Sequence, residues 1–334
     1  MAKKLVILGG TGFLGYYTAL AALKEGYEVA SIAYPDIKLD GWFPKEVKVM
    51  EADLFKDDED KLAALMKGYD YMIYSVGPDD RVTPKAPAKE FFYDRLVTYC
   101  AKCFRAAEKA GVKKAVVYNS YFTYFNDIYP KAHLAENHCY VAARIAQYKT
   151  LNEQKKAMEV VTLGLPYIFG AMPERIPLWR DVFLNRFAYG KKVIFFPKGS
   201  TSMIAVEHVG EAGVGALEYG KDGAFYPVAD ENHTYNWMLD TMMMAGLGKK
   251  RKIMNPAGWI CGLGAKSIIH ADKKKGLEPG LYYPKVMTDI MSKNMVIPQE
   301  KIDEVCTELH IGRGGLKESI EVMMDRCYPN HSFK

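Results

Sequence analysis

Three glycines at three-residue intervals, Gly9, Gly12 and Gly15, stand between an apolar run and a long amphipathic stretch in "LVILGGTGFLGYYTALAAL". A first glycine in such a turn allows a tight bend, and a second lets a pyrophosphate approach the backbone. A third lets helix and strand pack closely, with the helix N-terminus facing the phosphate. Glycines alone say little, but these lie in the strand–turn–helix context that an adenine dinucleotide requires. That context constrains the fold more than any other feature of the chain.

The surrounding pattern agrees. Apolar runs at residues 4–10, 27–34, 46–54, 69–77, 113–120 and 158–170 read as strands. Helical patterns at 13–26, 60–68 and 91–111, and around Tyr140, separate most of them. Strands alternating with such helices predict a doubly wound parallel sheet covered on both faces, a Rossmann-type α/β fold. After Gly170 the alternation breaks at Pro173, Pro177 and Pro197, although residues 201–220 and 223–230 still resemble sheet-domain material. The expected division is a dinucleotide-binding domain over 1–170 plus about 201–230. A smaller, discontinuous substrate lobe would take about 171–200 plus 231–334.

The chain's 334 residues suit two lobes. With 45 basic and 40 acidic residues, it is too balanced to imply a nucleic-acid or membrane partner. The basic clusters at 248–252 and 272–276 read as solvated faces. No apolar run approaches the roughly 18 residues a bilayer span needs. The N-terminus lacks the apolar stretch of a secretory signal, so a cytoplasmic location is expected. Six scattered cysteines do not form a disulfide framework. Cys100 and Cys103 have no second pair nearby to make a metal site, and they read as buried thiols on a helix.

The glycine spacing resembles that of the extended short-chain dehydrogenases/reductases, specifically the NAD-dependent epimerase/dehydratase family, and the likeness runs over roughly residues 4–230. It implies that Gly9, Thr11, Gly12, Phe13, Leu14 and Gly15 form the cofactor turn. It also implies that Asp53 and Leu54 of "EADL" lie near the adenine, with Val76 and Gly77 beside the cofactor at the end of the fourth strand. Ser120 falls on the catalytic serine or threonine, and Pro166 and Ile168 of "LGLPYIFG" border the nicotinamide. The family signature is a tyrosine followed four residues later by lysine; here the pair is Tyr140 and Arg144.

At that spacing both side chains share one helix face. Bringing a phenol from its usual pKa of about 10 to neutrality takes on the order of 4 kcal/mol. A unit charge about 4 Å away supplies roughly that at an effective dielectric near 20. A guanidinium is broader than an ammonium and cannot release its proton, so a relay through Arg144 is closed. The resemblance implies Tyr140 as general acid/base, Ser120 bonding the same substrate oxygen, and Arg144 orienting the nicotinamide ribose while stabilising the phenolate. His138, two residues from Tyr140, reads as a helix-start residue rather than an acid, and His133 likewise.

The pattern also departs from the family. Where an acidic residue selects NAD, this chain has Ala33 and Tyr34, followed by Asp36 and Lys38, so NAD and NADP both stay open; Tyr34 offers a face to adenine. "GLPYI" lacks the asparagine of the sugar-nucleotide enzymes. On the substrate side Tyr121, Tyr124, Tyr167, Trp179, Arg175 and Arg180 suit an aromatic or acidic small molecule. The expectation is an NAD(P)-dependent oxidoreductase or epimerase/dehydratase, with a homodimer implied by the family. A non-catalytic dinucleotide sensor, in which Arg144 marks lost chemistry, is the alternative.

Overall fold

A computed structural model describes residues 2–188 and 190–331. Strands β1 (Lys4–Leu8), β2 (Glu28–Ala33), β3 (Lys48–Glu51), β4 (Tyr71–Tyr74), β5 (Lys114–Ser120) and β6 (Glu159–Leu165) are parallel neighbours in one sheet. Successive side chains of β1 divide between its faces. Leu5 and Ile7 enter one buried cluster, Val6 and Leu8 the other, so nearly every position of the run must be apolar.

Helix α1 (Phe13–Lys24) follows the glycine turn, and α2 (Glu59–Met66) starts at Asp58, whose side chain accepts from the Lys61 backbone N–H. The helix expected over 91–111 begins earlier and is interrupted. It comprises α3 (Ala88–Tyr93), a π-helical turn at Asp94–Thr98, and α4 (Tyr99–Ala110). The buried Leu96 and Val97 sit within that turn. Helices α5 (Phe122–Ile128), α6 (Leu134–Asn137) and α7 (Cys139–Gln154) lead back to β6.

The apolar run over 158–170 is two strands, not one. Pro166 lacks an N–H and ends β6; β7 (Tyr167–Phe169) then leaves the main sheet to pair with β9 (Ser200–Ala205). The short strand β8 (Val193–Phe195) precedes β9. Helix α8 (Val206–Glu218) packs on α1, where a Cβ at Gly210 would lie 2.5 Å from the Tyr17 carbonyl oxygen; only glycine permits that approach. Strand β10 (Phe225–Pro227) joins β6, completing a seven-stranded sheet in the order β10-β6-β5-β4-β1-β2-β3. The order reverses between β1 and β4, and the crevice beyond the C-terminal ends of those strands is where doubly wound sheets bind ligands.

The remaining chain packs largely on β8, β9 and β10. Strand β11 (Glu231–Thr234) pairs antiparallel with β9, and α9 (Tyr235–Leu247) follows. Strand β12 (Lys252–Met254) pairs with β8, and α10 (Gly258–Lys274) lies outermost, with only Gly262 and Ala265 buried. Helices α11 (Tyr283–Lys285), α12 (Gln299–Glu308) and α13 (Leu316–Cys327) close the described chain, α13 against α9. Among the described residues no helix is long and apolar enough to cross a membrane.

Candidate active site

The glycine turn meets its geometric demands. Gly9 has φ +84°, and a Cβ at Gly15 would lie 2.2 Å from the Gly9 carbonyl oxygen, so helix and turn touch backbone to backbone. Gly12 caps α1 without any side-chain acceptor, and no acidic residue occupies the first turn. The helix therefore presents uncompensated N–H groups and the positive end of its dipole. Arg175 comes from beyond β7 to donate from Nη2 to the Thr11 carbonyl at 3.3 Å, adding a cation beside the turn. A pyrophosphate fits this set of donors and charge.

Next to the turn lies a cavity of about 670 Å³. Of the residues expected at the cofactor, Phe13, Leu14, Val76, Gly77, Pro166 and Ile168 line it, together with Ser120, Tyr140 and Arg144. Tyr34 does not line it and is 57% exposed. Asp53 is engaged in its own turn, its carboxylate accepting from the Phe55 and Lys56 backbone N–H groups and pairing with Lys56 Nζ at 3.3 Å. Leu54 is buried in the core below.

Arg144 is buried, and four of its five N–H groups are engaged. Its Nε donates to the Tyr140 hydroxyl oxygen at 3.1 Å, Nη1 to the Tyr118 carbonyl and to Gln147 Oε1, both at 3.0 Å, and Nη2 to the Pro78 carbonyl at 3.4 Å. Asn119 locks this network by donating to the Arg144 carbonyl and to Gln147 Oε1, both at 2.9 Å. A planar fork suits such divergent acceptors where an ammonium does not. Tyr140 receives the Nε–H but, among the described residues, its own O–H has no acceptor, and it faces the cavity. Ser120 Oγ accepts from the Phe122 backbone N–H at 3.3 Å on the same cavity wall.

One expectation is corrected. The charge arithmetic above pictures Arg144 drawing the phenol down towards neutrality. Instead burial raises the Tyr140 pKa by more than Arg144 lowers it, and the carboxylate of Asp80 raises it further. The arithmetic omitted the cost of desolvating a phenolate. Tyr140 therefore keeps its phenolic proton at neutral pH.

Sequence reasoning missed Asp80 and Arg81, which follow the fourth strand in "VGPDDRV". The Arg81 guanidinium lies 4.7 Å from the Trp179 ring centre and 5.3 Å from that of Tyr167, while pairing with Asp80 at 3.4 Å and Asp79 at 3.6 Å. The available signal was a charged triplet just past a strand's C-terminal end, where the crevice lies. Of the proposed substrate-side residues, Tyr121, Tyr167, Trp179 and Arg175 line the cavity. Tyr124 and Arg180 do not: Tyr124 packs at a tilt against Phe125, and Arg180 pairs with Asp181 at 3.1 Å. His138 is buried away from the cavity, its Nδ1 accepting from the Tyr282 backbone N–H at 3.0 Å, and burial depresses its pKa to about 4. His133 is at the surface beside Glu136. Cys100 and Cys103 are free buried thiols on α4.

Residues 9–162 match a family model described as NAD(P)H-binding. A ketoreductase, sphI, of Aspergillus fumigatus is 34% identical over 125 residues, which is 36% of this chain and 36% of that protein. Among solved structures, a nucleoside-diphosphate-sugar epimerase from Pseudomonas aeruginosa superposes with a TM-score of 0.71 at 16% identity, covering 98% of this chain and 97% of that one. The Bordetella bronchiseptica enzyme WbmH, in complex with NAD+, gives 0.66 at 16% identity, covering 96% of each chain.

Proposed function

Taking as premise that residues 9–162 are an NAD(P)-binding domain within an extended short-chain dehydrogenase/reductase fold, we propose that the protein is an NAD(P)-dependent oxidoreductase interconverting a carbonyl and a hydroxyl on a small molecule. The observation that carries this is the Tyr140–Arg144 pair on the cavity wall, with the phenol O–H unclaimed. In this reading the domain over 1–170 and about 201–230 holds the cofactor, and about 171–200 with 231–334 shapes the substrate side.

The glycine turn, the α1 N-terminus and Arg175 would hold the pyrophosphate; Val76, Gly77, Pro166 and Ile168 would flank the rest of the dinucleotide. When bound, the nicotinamide supplies hydride transfer. The chain's own work is orientation and proton management. Tyr140 donates its phenolic proton to the substrate oxygen in the reductive direction, and Ser120 bonds that oxygen. Arg144 already donates to the phenol oxygen, so it stabilises the phenolate as the proton leaves. Arg144 cannot pass a proton on, so Tyr140 must be reprotonated from the cavity side.

The test is direct. Purified protein with NADH or NADPH and a panel of aldehydes and ketones should oxidise the cofactor, read as loss of reduced-nicotinamide absorbance. Tight cofactor binding without turnover across the panel, or full turnover by Tyr140→Phe, would defeat the proposal.

A further inference from the structure

Beyond the Asp80–Arg81 pair lies a second cavity, about 500 Å³, that shares Asp80, Arg81, Tyr167 and Val182 with the first as common walls. Its own walls are hydrocarbon. Phe183 and Phe196 form one side, Val286 and Met291 another, and α10 contributes Ala265 and Ile268. Among the described residues formal charge enters only through the shared pair and Arg186, and Arg81 is already matched by two carboxylates and lies over two aromatic rings. Nucleotide phosphates need several free cations or N–H donors, and this chamber offers no such set.

The chamber's mouth is also apolar. Phe195 is 60% exposed and Ile260 45% exposed, and both line the cavity. Trp259 and Leu263, on the same helix as Ile260, are 64% and 55% exposed. Large apolar side chains left exposed at a cavity mouth mark a surface covered when ligand binds.

We propose that this chamber holds the hydrocarbon tail of the substrate, so that the enzyme acts on amphiphilic carbonyl compounds or the corresponding alcohols with a long aliphatic chain. The assignment rests on the carbonyl–hydroxyl chemistry at Tyr140. The reacting carbonyl sits in the first cavity, the polar atoms next to it meet Arg81 and Asp80 at the shared wall, and the tail runs beneath α10. Arg81, held over the Trp179 ring, lines both cavities with a cation whose charge is already compensated, so a neutral chain can pass beside it without stranding a bare charge.

A homologous series of straight-chain primary alcohols, titrated calorimetrically into the protein with reduced cofactor present, reads the chamber without turnover. Each added methylene should tighten binding about fourfold until the chamber is full. Gly264 lines the cavity, and a Cβ built on it meets nothing within 4 Å, so Gly264→Trp should fold while bringing the plateau to shorter chains. Ile260→Glu, at an exposed rim position, should weaken the long alcohols selectively should the tryptophan variant fail to fold. Affinity independent of chain length in the wild-type protein would overturn the assignment, as would displacement of the alcohols by uridine diphosphate. Chain-length dependence without reduction of any ketone would keep the chamber and sink the tyrosine chemistry. Reduction of short ketones with no gain along the series would sink the chamber alone.

Discussion

The Arg144 Nε–H points at the Tyr140 hydroxyl oxygen across 3.1 Å, and both side chains are buried. The bond fixes the phenol's orientation and takes one of its lone pairs, leaving its hydrogen for the cavity. Replacing Tyr140 with phenylalanine removes the proposed proton donor while keeping the ring's contact with Phe92, whose centre lies 5.4 Å away. Carbonyl reduction should fall about a hundredfold to ten-thousandfold, the usual contribution of a positioned acid. Cofactor affinity, measured by nicotinamide fluorescence, should change little.

Lysine, which the Tyr-x-x-x-Lys signature of the extended short-chain dehydrogenases/reductases would place at position 144, should not be an improvement. An ammonium cannot reach the Tyr118 carbonyl, Gln147 Oε1, the Pro78 carbonyl and the phenol together. Arg144→Lys gives up at least one of these four charge-assisted hydrogen bonds, at about 1.5–3 kcal/mol. Urea denaturation should show that loss as a lower midpoint with an unchanged slope.

The pH profile follows from the raised pKa of Tyr140. A raised phenol stays protonated through neutrality, so the reductive rate should be flat there and decline only above the ordinary phenol range, about 10. Alcohol oxidation needs the phenolate and should rise over the same alkaline interval. A reductive rate that halves near neutral pH through this group would contradict the burial argument.

His138 makes a separate prediction about stability. Its folded pKa is depressed to about 4 by burial, so its contribution is present above the unfolded value of about 6.5 and is lost as pH falls towards the folded one. The interval corresponds to a loss on the order of 3 kcal/mol. Denaturant titrations across that acid range should show the decline in the wild type, with a shallower slope in His138→Asn.

At the turn, Gly15→Ala places a methyl within 2.2 Å of the Gly9 oxygen and 2.6 Å of the Gly10 Cα. Helix and turn must separate, so folding should lose about 1–3 kcal/mol or more, and cofactor affinity should fall with it. Calorimetric titration with NADH and NADPH checks the second effect, and thermal melting the first.

The parts of this molecule legible in the sequence are those encoded locally. The β1–α1 turn is written in three glycines, and the facing of Tyr140 and Arg144 in a four-residue spacing. The interrupted helix before α4 was not legible, because its apolar residues run on without a break while the backbone inserts a wider turn. Asp80 and Arg81 were missed because their meaning depends on Trp179, which only the folded chain brings over the guanidinium. Pro166 was visible, yet its role in sending β7 to another sheet depends on β9, some forty residues later. The phenol's pKa was misjudged because charge spacing can be read from a sequence and burial cannot.

The peripheral position of α10 has its own consequence. A wall that contributes only Gly262 and Ala265 to the interior can be rewritten without disturbing the sheet, the turn or the phenol. With the proposed tail chamber beneath α10, redesign of this single outer helix should change chain-length preference while the Tyr140–Arg144 geometry stays as it is.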